Sequence, residues 1–342
     1  MTALTIEQVE VSYRARGRGS VRAVAGVDLQ VAAGEVVGLV GESGCGKSSL
    51  ARVAAGLTAP TAGRILIGDT PVAPVGWRRR PAALTRLQMI FQDPGGSLNP
   101  RRTIESQLLD GIPADLTGSA RTERLVQLLE RVGMSDDARR HYPHQFSGGQ
   151  RQRLAIARAL ATEPEIIIAD EPVTALDASA QAQVVSLLLS LVRELDVGLL
   201  FISHDLALVH EIADRTAVMY LGKIVEQAPT RALMAAPRHP YTRALVEAIP
   251  QISAHPNLPN VLRGEVPDPA QVPSGCRFRP RCAHARAICL TEPQLREVPG
   301  GLVSCHRVEE IAAENGVTEL SVAKRSVTES SVTGEIAMEA SE

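Results

Sequence analysis

Val36-Val37-Gly38-Leu39-Val40-Gly41-Glu42-Ser43-Gly44-Cys45-Gly46-Lys47-Ser48 runs from a short apolar segment into a glycine-rich turn that ends in a lysine and a hydroxyl. The apolar segment reads as a buried strand. The turn has the spacing Gly, four residues, Gly-Lys-Ser, which is that of a phosphate-cradling loop. Its glycines let successive backbone N–H groups converge on a phosphate without Cβ clashes. The helical segment that follows, Lys47 to Leu57, presents its positive N-terminal end to the same place. Lys47 is suited to bridge the β- and γ-phosphates of a nucleoside triphosphate, and the Ser48 hydroxyl to ligate magnesium. Strand, loop and helix in this order open an α/β domain.

Upstream, Thr5-Ile6-Glu7-Gln8-Val9-Glu10-Val11 and Val24-Ala25-Gly26-Val27-Asp28-Leu29 alternate between apolar and other positions, as antiparallel strands do. Downstream, the apolar runs 166–169 and 198–202 flank an amphipathic stretch from Ala178 to Leu195, the pattern of parallel strands joined by a crossover helix. The first run ends in Asp170-Glu171. At a strand's carboxyl end, Asp170 can hold magnesium through water, and Glu171 can accept the proton of an attacking water. Paired acids after a strand also cap helices, and the upstream loop is what favours the catalytic reading. Between about Pro100 and Phe146 the strand pattern disappears and helical spacing takes over, which predicts an inserted helical subdomain at about 100–160. The expected division is a nucleotide-binding domain at 1–250, with short helices at 229–236 and 240–248, and a Pro-rich, Cys-containing extension at 251–306. A Ser/Thr/Val/Glu-rich tail at 307–342 is expected to be disordered.

The 342 residues, 44% of them hydrophobic, are enough for a large domain with a sizeable core. A net charge of −2 without a long basic run argues against nucleic acid as a partner. No stretch approaches the roughly 20 apolar residues of a membrane span, and the N-terminus lacks a signal-peptide pattern. The expectation is a cytosolic chain that reaches a membrane only by docking on other subunits. In that reducing setting the five cysteines are expected to be thiols or metal ligands and not disulfides.

Phe146-Ser147-Gly148-Gly149-Gln150-Arg151 narrows the reading. Ser147 with Gln150 three residues on is a capping box, and the glycines leave the helix start open to an anion. The motif also resembles the signature of ABC ATPases, and the family's other elements match in order over residues 1 to about 230. The resemblance implies an α/β P-loop ABC ATPase core with an antiparallel β subdomain, an inserted α-helical subdomain and a Cys-containing C-terminal extension. It implies an ATP site built from Tyr13, stacked on adenine, the loop residues Gly41, Glu42, Ser43, Gly44, Cys45, Gly46, Lys47, Ser48 and Ser49, and Ser147, Gly148, Gly149 and Gln150 of a second ATPase subunit. Asp177 communicates across that dimer. Gln92 reaches magnesium and the water together with Ser48 and Asp170, and His204 holds the γ-phosphate and orients Glu171. No element required for hydrolysis is substituted, so an active ATPase is expected.

Gln92-Asp93-Pro94, Ser97-Leu98-Asn99-Pro100-Arg101, His141-Tyr142-Pro143-His144-Gln145 and His239-Pro240-Tyr241-Thr242-Arg243-Ala244-Leu245 with Pro273-Ser274-Gly275-Cys276 resemble the peptide, dipeptide and nickel importers of the family. That branch implies two membrane permease subunits, an extracytoplasmic binding protein acting indirectly, and a peripheral place on the cytoplasmic face of the cell membrane. The homodimer and the pair with a related ATPase remain alternatives. Soluble ABC ATPases acting on ribosomes or DNA are the competing class. The single cassette and short helical insertion count against it. Cys276, Cys282, Cys289 and Cys305 are enough thiols for zinc or an iron–sulfur cluster, and His284 and His306 are alternative ligands. No Cys-x2-Cys pair occurs among them, which leaves free thiols as the third reading. Some relatives carry a 4Fe–4S cluster in this extension.

Overall fold

The computed structural model of the chain describes residues 2–15, 19–76, 82–249 and 264–314. Strands β1 (Thr2–Ala15) and β2 (Gly19–Ala32) form a long antiparallel pair, in which Leu4 faces Val31 and Tyr13 faces Val21. β3 (Val36–Val40) leaves that sheet for a second one, whereas β4 (Ala62–Ile67) and β5 (Thr70–Pro71) complete the first in the order β2-β1-β4-β5. The second sheet continues with β6 (Leu87–Ile90), β7 (Ile166–Asp170), β8 (Gly198–Ser203), β9 (Arg215–Tyr220), β10 (Lys223–Pro229), β11 (Arg296–Val298) and β12 (Gly301–Val303). Its order is β11-β12-β10-β9-β3-β8-β7-β6, parallel from β9 to β6 and antiparallel beyond β9.

Helix α1 (Lys47–Ala54) follows the glycine-rich turn. The inserted subdomain carries α2 (Pro94–Ser97), α3 (Ile104–Leu108), α4 (Gly118–Arg131) and α5 (Gly148–Leu160), and no strand is described within it. The crossover is α6 (Ala178–Glu194), and α7 (Leu206–Ile212), α8 (Thr230–Ala235) and α9 (Pro240–Glu247) come after β8 and β10.

β3, β7 and β8 are buried at every position, because both faces of the parallel sheet are covered. Their side chains divide by the two-residue period. Val37, Leu39, Ile166, Ile168, Leu200 and Ile202 pack with α1 and the N-terminal sheet, and Val36, Val40, Ile167, Ala169, Leu199 and Phe201 pack with α4 to α7. A Cβ at Gly38 would lie 2.3 Å from Val209 Cγ1, so this glycine is what lets α7 close on β3.

The C-terminal extension, expected at 251–306, joins the nucleotide-binding sheet. β12 pairs with β10, Glu226 facing Val303, and so lengthens the nucleotide-binding sheet. Phe278 enters the main core against Tyr220 and Tyr241, at ring separations of 5.3 and 5.5 Å. The expected start of disorder at 307 is corrected. Val308–Glu314 is a helix, α10, anchored by buried Val308 and Ile311, whose spacing of three places both on one helical face. The rest of the expected tail lies outside the described residues.

Candidate active site

The register of the parallel strands gathers the predicted residues. Val40 lies beside Ser203, Ile90 beside Ala169 and Asp170 beside Ile202. The segments that leave these carboxyl ends, beginning at Gly41, Phe91, Glu171 and His204, therefore emerge on one rim, where open α/β sheets place ligands.

The loop's geometry depends on glycine. Gly46 has φ +109°, and a Cβ there would stand 2.1 Å from the Ala23 carbonyl oxygen. Lys47 is 5% exposed, and its Nζ donates to the carbonyl oxygens of Gly41 at 2.7 Å and Glu42 at 3.1 Å, which aligns the ammonium along the inside of the loop. The loop encloses a cavity of about 390 Å³, lined by Ser43 to Ser49 with Tyr13, Gln92 and Glu171. Tyr13 is 39% exposed and lines this cavity, so its ring is available for stacking. Sequence reasoning gave no hint of two further lining residues, Pro269 and Val272, which come from the extension. Gly41 and Glu42 belong to the loop but do not line the cavity.

Ser48 Oγ donates to Asp170 Oδ1 at 3.0 Å. Burial pushes the Asp170 carboxyl above its ordinary range, against the hydrogen bond from Ser48, and neighbouring Glu171 adds to the rise. A buried acid beside a hydroxyl, with its charged form disfavoured, fits a divalent cation that would restore that charge.

Glu171 has φ +47°, a left-handed conformation that a non-glycine residue rarely adopts, and its N–H donates to the Ile202 carbonyl at 3.0 Å. Three groups meet its Oε2: Gln92 Nε2 at 3.3 Å, Thr174 Oγ1 at 3.2 Å and His204 Nδ1 at 3.4 Å. Among the described residues Oε1 accepts no hydrogen bond, which leaves one carboxylate oxygen for a water. Thr174 is a partner the sequence reading missed. It lies three residues past Glu171 in the turn that precedes α6, and only the turn geometry reveals it.

The signature residues stand elsewhere. Ser147 Oγ accepts from the Gln150 N–H at 3.3 Å and Gln150 Oε1 from the Ser147 N–H at 2.9 Å, the expected capping box at the start of α5. Asp177 caps α6 by accepting from the Ala180 N–H at 2.9 Å. Ser147 to Gln150 and Asp177 share a second cavity, which has no residue in common with the first.

Cys276, Cys282, Cys289 and Cys305 line one small cavity of about 20 Å³ with His284 and His306, room for little more than a water molecule. All are free thiols. Burial raises the thiol pKa of Cys276, Cys282 and Cys305, the last to about 11, so these are protonated at neutral pH. Among the described residues no group of three or more His, Cys, Asp or Glu is arranged to hold a metal ion. The four cysteines converge, but not as a preformed ligand set.

The chain matches two family models, ABC transporter over residues 24–174 and oligopeptide/dipeptide transporter, C-terminal region, over residues 225–289. It is 47% identical over 309 residues to a Brucella ovis protein named for peptide import ATP binding, covering 89% of this chain and 97% of that one. It is 42% identical over 299 residues to the di/tripeptide transport ATP-binding protein DppF of Pseudomonas aeruginosa, covering 86% and 93%. Among solved structures, the dimeric post-hydrolysis ATP-binding cassette MJ0796 with ADP and phosphate is 28% identical, with a TM-score of 0.58 over 67% of this chain and 99% of that one. The cbiO1 subunit of the Clostridium perfringens cbiONQ transporter is 26% identical, with a TM-score of 0.59 over 68% and 91%.

Proposed function

Because the chain belongs to the ABC transporter family of ATP-binding subunits, we propose that it hydrolyses ATP to drive peptide import through partner membrane subunits. The observation that carries the mechanism is the separation of the two half-sites. The helix start at Ser147 to Gln150 is shaped for an anion, yet it opens on a different cavity from the phosphate loop of its own chain. A second ATPase subunit completes each site by bringing its own Ser147–Gln150 segment onto the γ-phosphate held by Lys47 and Ser48. Closure of that pair then moves the permease subunits, with the chain peripheral on the membrane's cytoplasmic face. Among the described residues no helix is long and apolar enough to cross a membrane.

In each site Tyr13 stacks on the base and Lys47 neutralises the β- and γ-phosphates. Ser48, Gln92 and Asp170 would hold magnesium, which when bound offsets phosphate charge. Glu171 takes the proton of the attacking water through its open Oε1, while Gln92, Thr174 and His204 fix the carboxylate through Oε2. The test is reconstitution with the membrane subunits and binding protein. ATP turnover is expected to rise when peptide is supplied. Turnover that answers to nickel and not to peptide would reassign the cargo, and turnover indifferent to every cargo would overturn the transport reading.

The four extension cysteines have their own reading as ligands of a 4Fe–4S cluster, supported by their convergence on one cavity. The protonated thiols would have to ionise and the cavity to widen. Anaerobic purification tests this: a brown protein with about four irons and four sulfides per chain would establish the cluster, bound zinc would reassign the ligands, and a colourless, metal-free protein overturns it.

A further inference from the structure

Among the described residues, an ion pair ties the extension to the phosphate loop. Arg281 lies in a single helical turn, Arg279–Arg281, and its side chain is 4% exposed. Nη1 donates to Glu42 Oε2 at 2.7 Å and Nη2 to Glu42 Oε1 at 3.0 Å, a bidentate contact across 239 residues of sequence. Tyr220 supports the guanidinium from the side, with Oη at 3.5 Å from Nη1 and the ring centroid 5.9 Å from Cζ. The Glu42 backbone N–H donates to Tyr241 Oη at 2.9 Å, so both polar ends of Glu42 are held by the same aromatic and basic cluster.

We propose that Arg281 is a positioning residue of the nucleotide site, holding the phosphate loop in its binding shape and cancelling the charge of Glu42. The proposal rests on the reading of that loop as the ATP site. Glu42 lies between Gly41 and Ser43, and the Glu42 carbonyl is one of the two carbonyl acceptors that, with the weaker contact to Cys45 Sγ, align Lys47. A free carboxylate there would repel a polyphosphate in a partly dry site, where charges are weakly screened. The planar guanidinium fork fixes the carboxylate's orientation as well as its charge, which an ammonium cannot do. Pro269 and Val272, on the cavity wall, are carried by the same extension, so releasing Arg281 would disturb the loop and the wall together.

The test measures MgATP binding, KM and kcat on the full chain. Arg281→Gln is expected to weaken binding and raise KM about tenfold with a smaller change in kcat. Arg281→Lys should fall between this variant and wild type. Glu42→Gln combined with Arg281→Gln should recover most of the lost affinity, because it removes the unpaired carboxylate; a contact that merely anchors the extension would give no such recovery. Wild-type affinity in Arg281→Gln, or a double variant as weak as the single, would overturn the proposal. If Arg281→Gln does not fold, the double variant decides alone, since weak binding there contradicts charge cancellation. Lys47→Ala separates the two levels. If it binds MgATP as wild type does, the loop reading falls and the proposal with it; if Lys47→Ala loses binding and Arg281→Gln does not, only the proposal falls.

Discussion

Glu171→Gln is expected to lower MgATP turnover by about 10²–10⁴, the contribution typical of a general base. The amide is nearly isosteric, and it can still accept from Thr174 and Gln92 through its oxygen, so the cavity keeps its shape. What it loses is the ability to take a proton. Binding should therefore persist, and the nucleotide should stay trapped between closed subunits. The backbone at 171 is already committed by its left-handed φ and its bond to Ile202, so the substitution asks no new conformation of the chain. Single-turnover measurement beside equilibrium binding distinguishes this outcome, slow chemistry on a filled site, from a collapsed site that binds nothing.

Gly149→Glu is expected to abolish turnover with little cost to the fold. A Cβ at Gly149 would sit 3.4 Å from the Ala180 Cβ, an ordinary contact, whereas one at Gly148 would meet Leu176 at 3.3 Å and be tighter. An acidic residue in the first turn of α5 complements the helix dipole, so the isolated chain tolerates it. Across the subunit boundary the same carboxylate would face the partner's γ-phosphate. Like charges about 4 Å apart at a protein surface cost about 4 kcal/mol, which predicts a loss on the order of 10³ in turnover. MgATP binding by the chain alone should match wild type, because its own phosphate loop is untouched. Equal loss of both would mean that Gly149 belongs to its own chain's nucleotide site.

The parallel core and the phosphate loop were legible because their signals are local. Uninterrupted apolar runs at 36–40, 166–169 and 198–202 mark strands covered on both faces, and the glycine spacing after the first of them admits few other uses. The capping box at Ser147 was legible for the same reason, as serine and glutamine three residues apart satisfy each other within one turn. What escaped is long-range. Nothing in the neighbourhood of Arg281, one arginine among many, points to Glu42, and nothing in Pro269 or Val272 marks a nucleotide wall. The strand pair 296–298 and 301–303 is too short for alternation to register, and it exists because β10 offers an edge to pair with. The left-handed φ of Glu171 is set by the turn that must lift the acid off its strand, and residue type alone disfavours it.

The two-subunit sandwich is tested most directly by sedimentation of the Glu171→Gln chain with and without MgATP, alone and with a related ATPase subunit added. The expected result is a shift from the 36.5 kDa chain to a two-subunit species that requires MgATP and is reversed by removing magnesium. A chain that binds MgATP and remains at its single-chain mass under both conditions would contradict it.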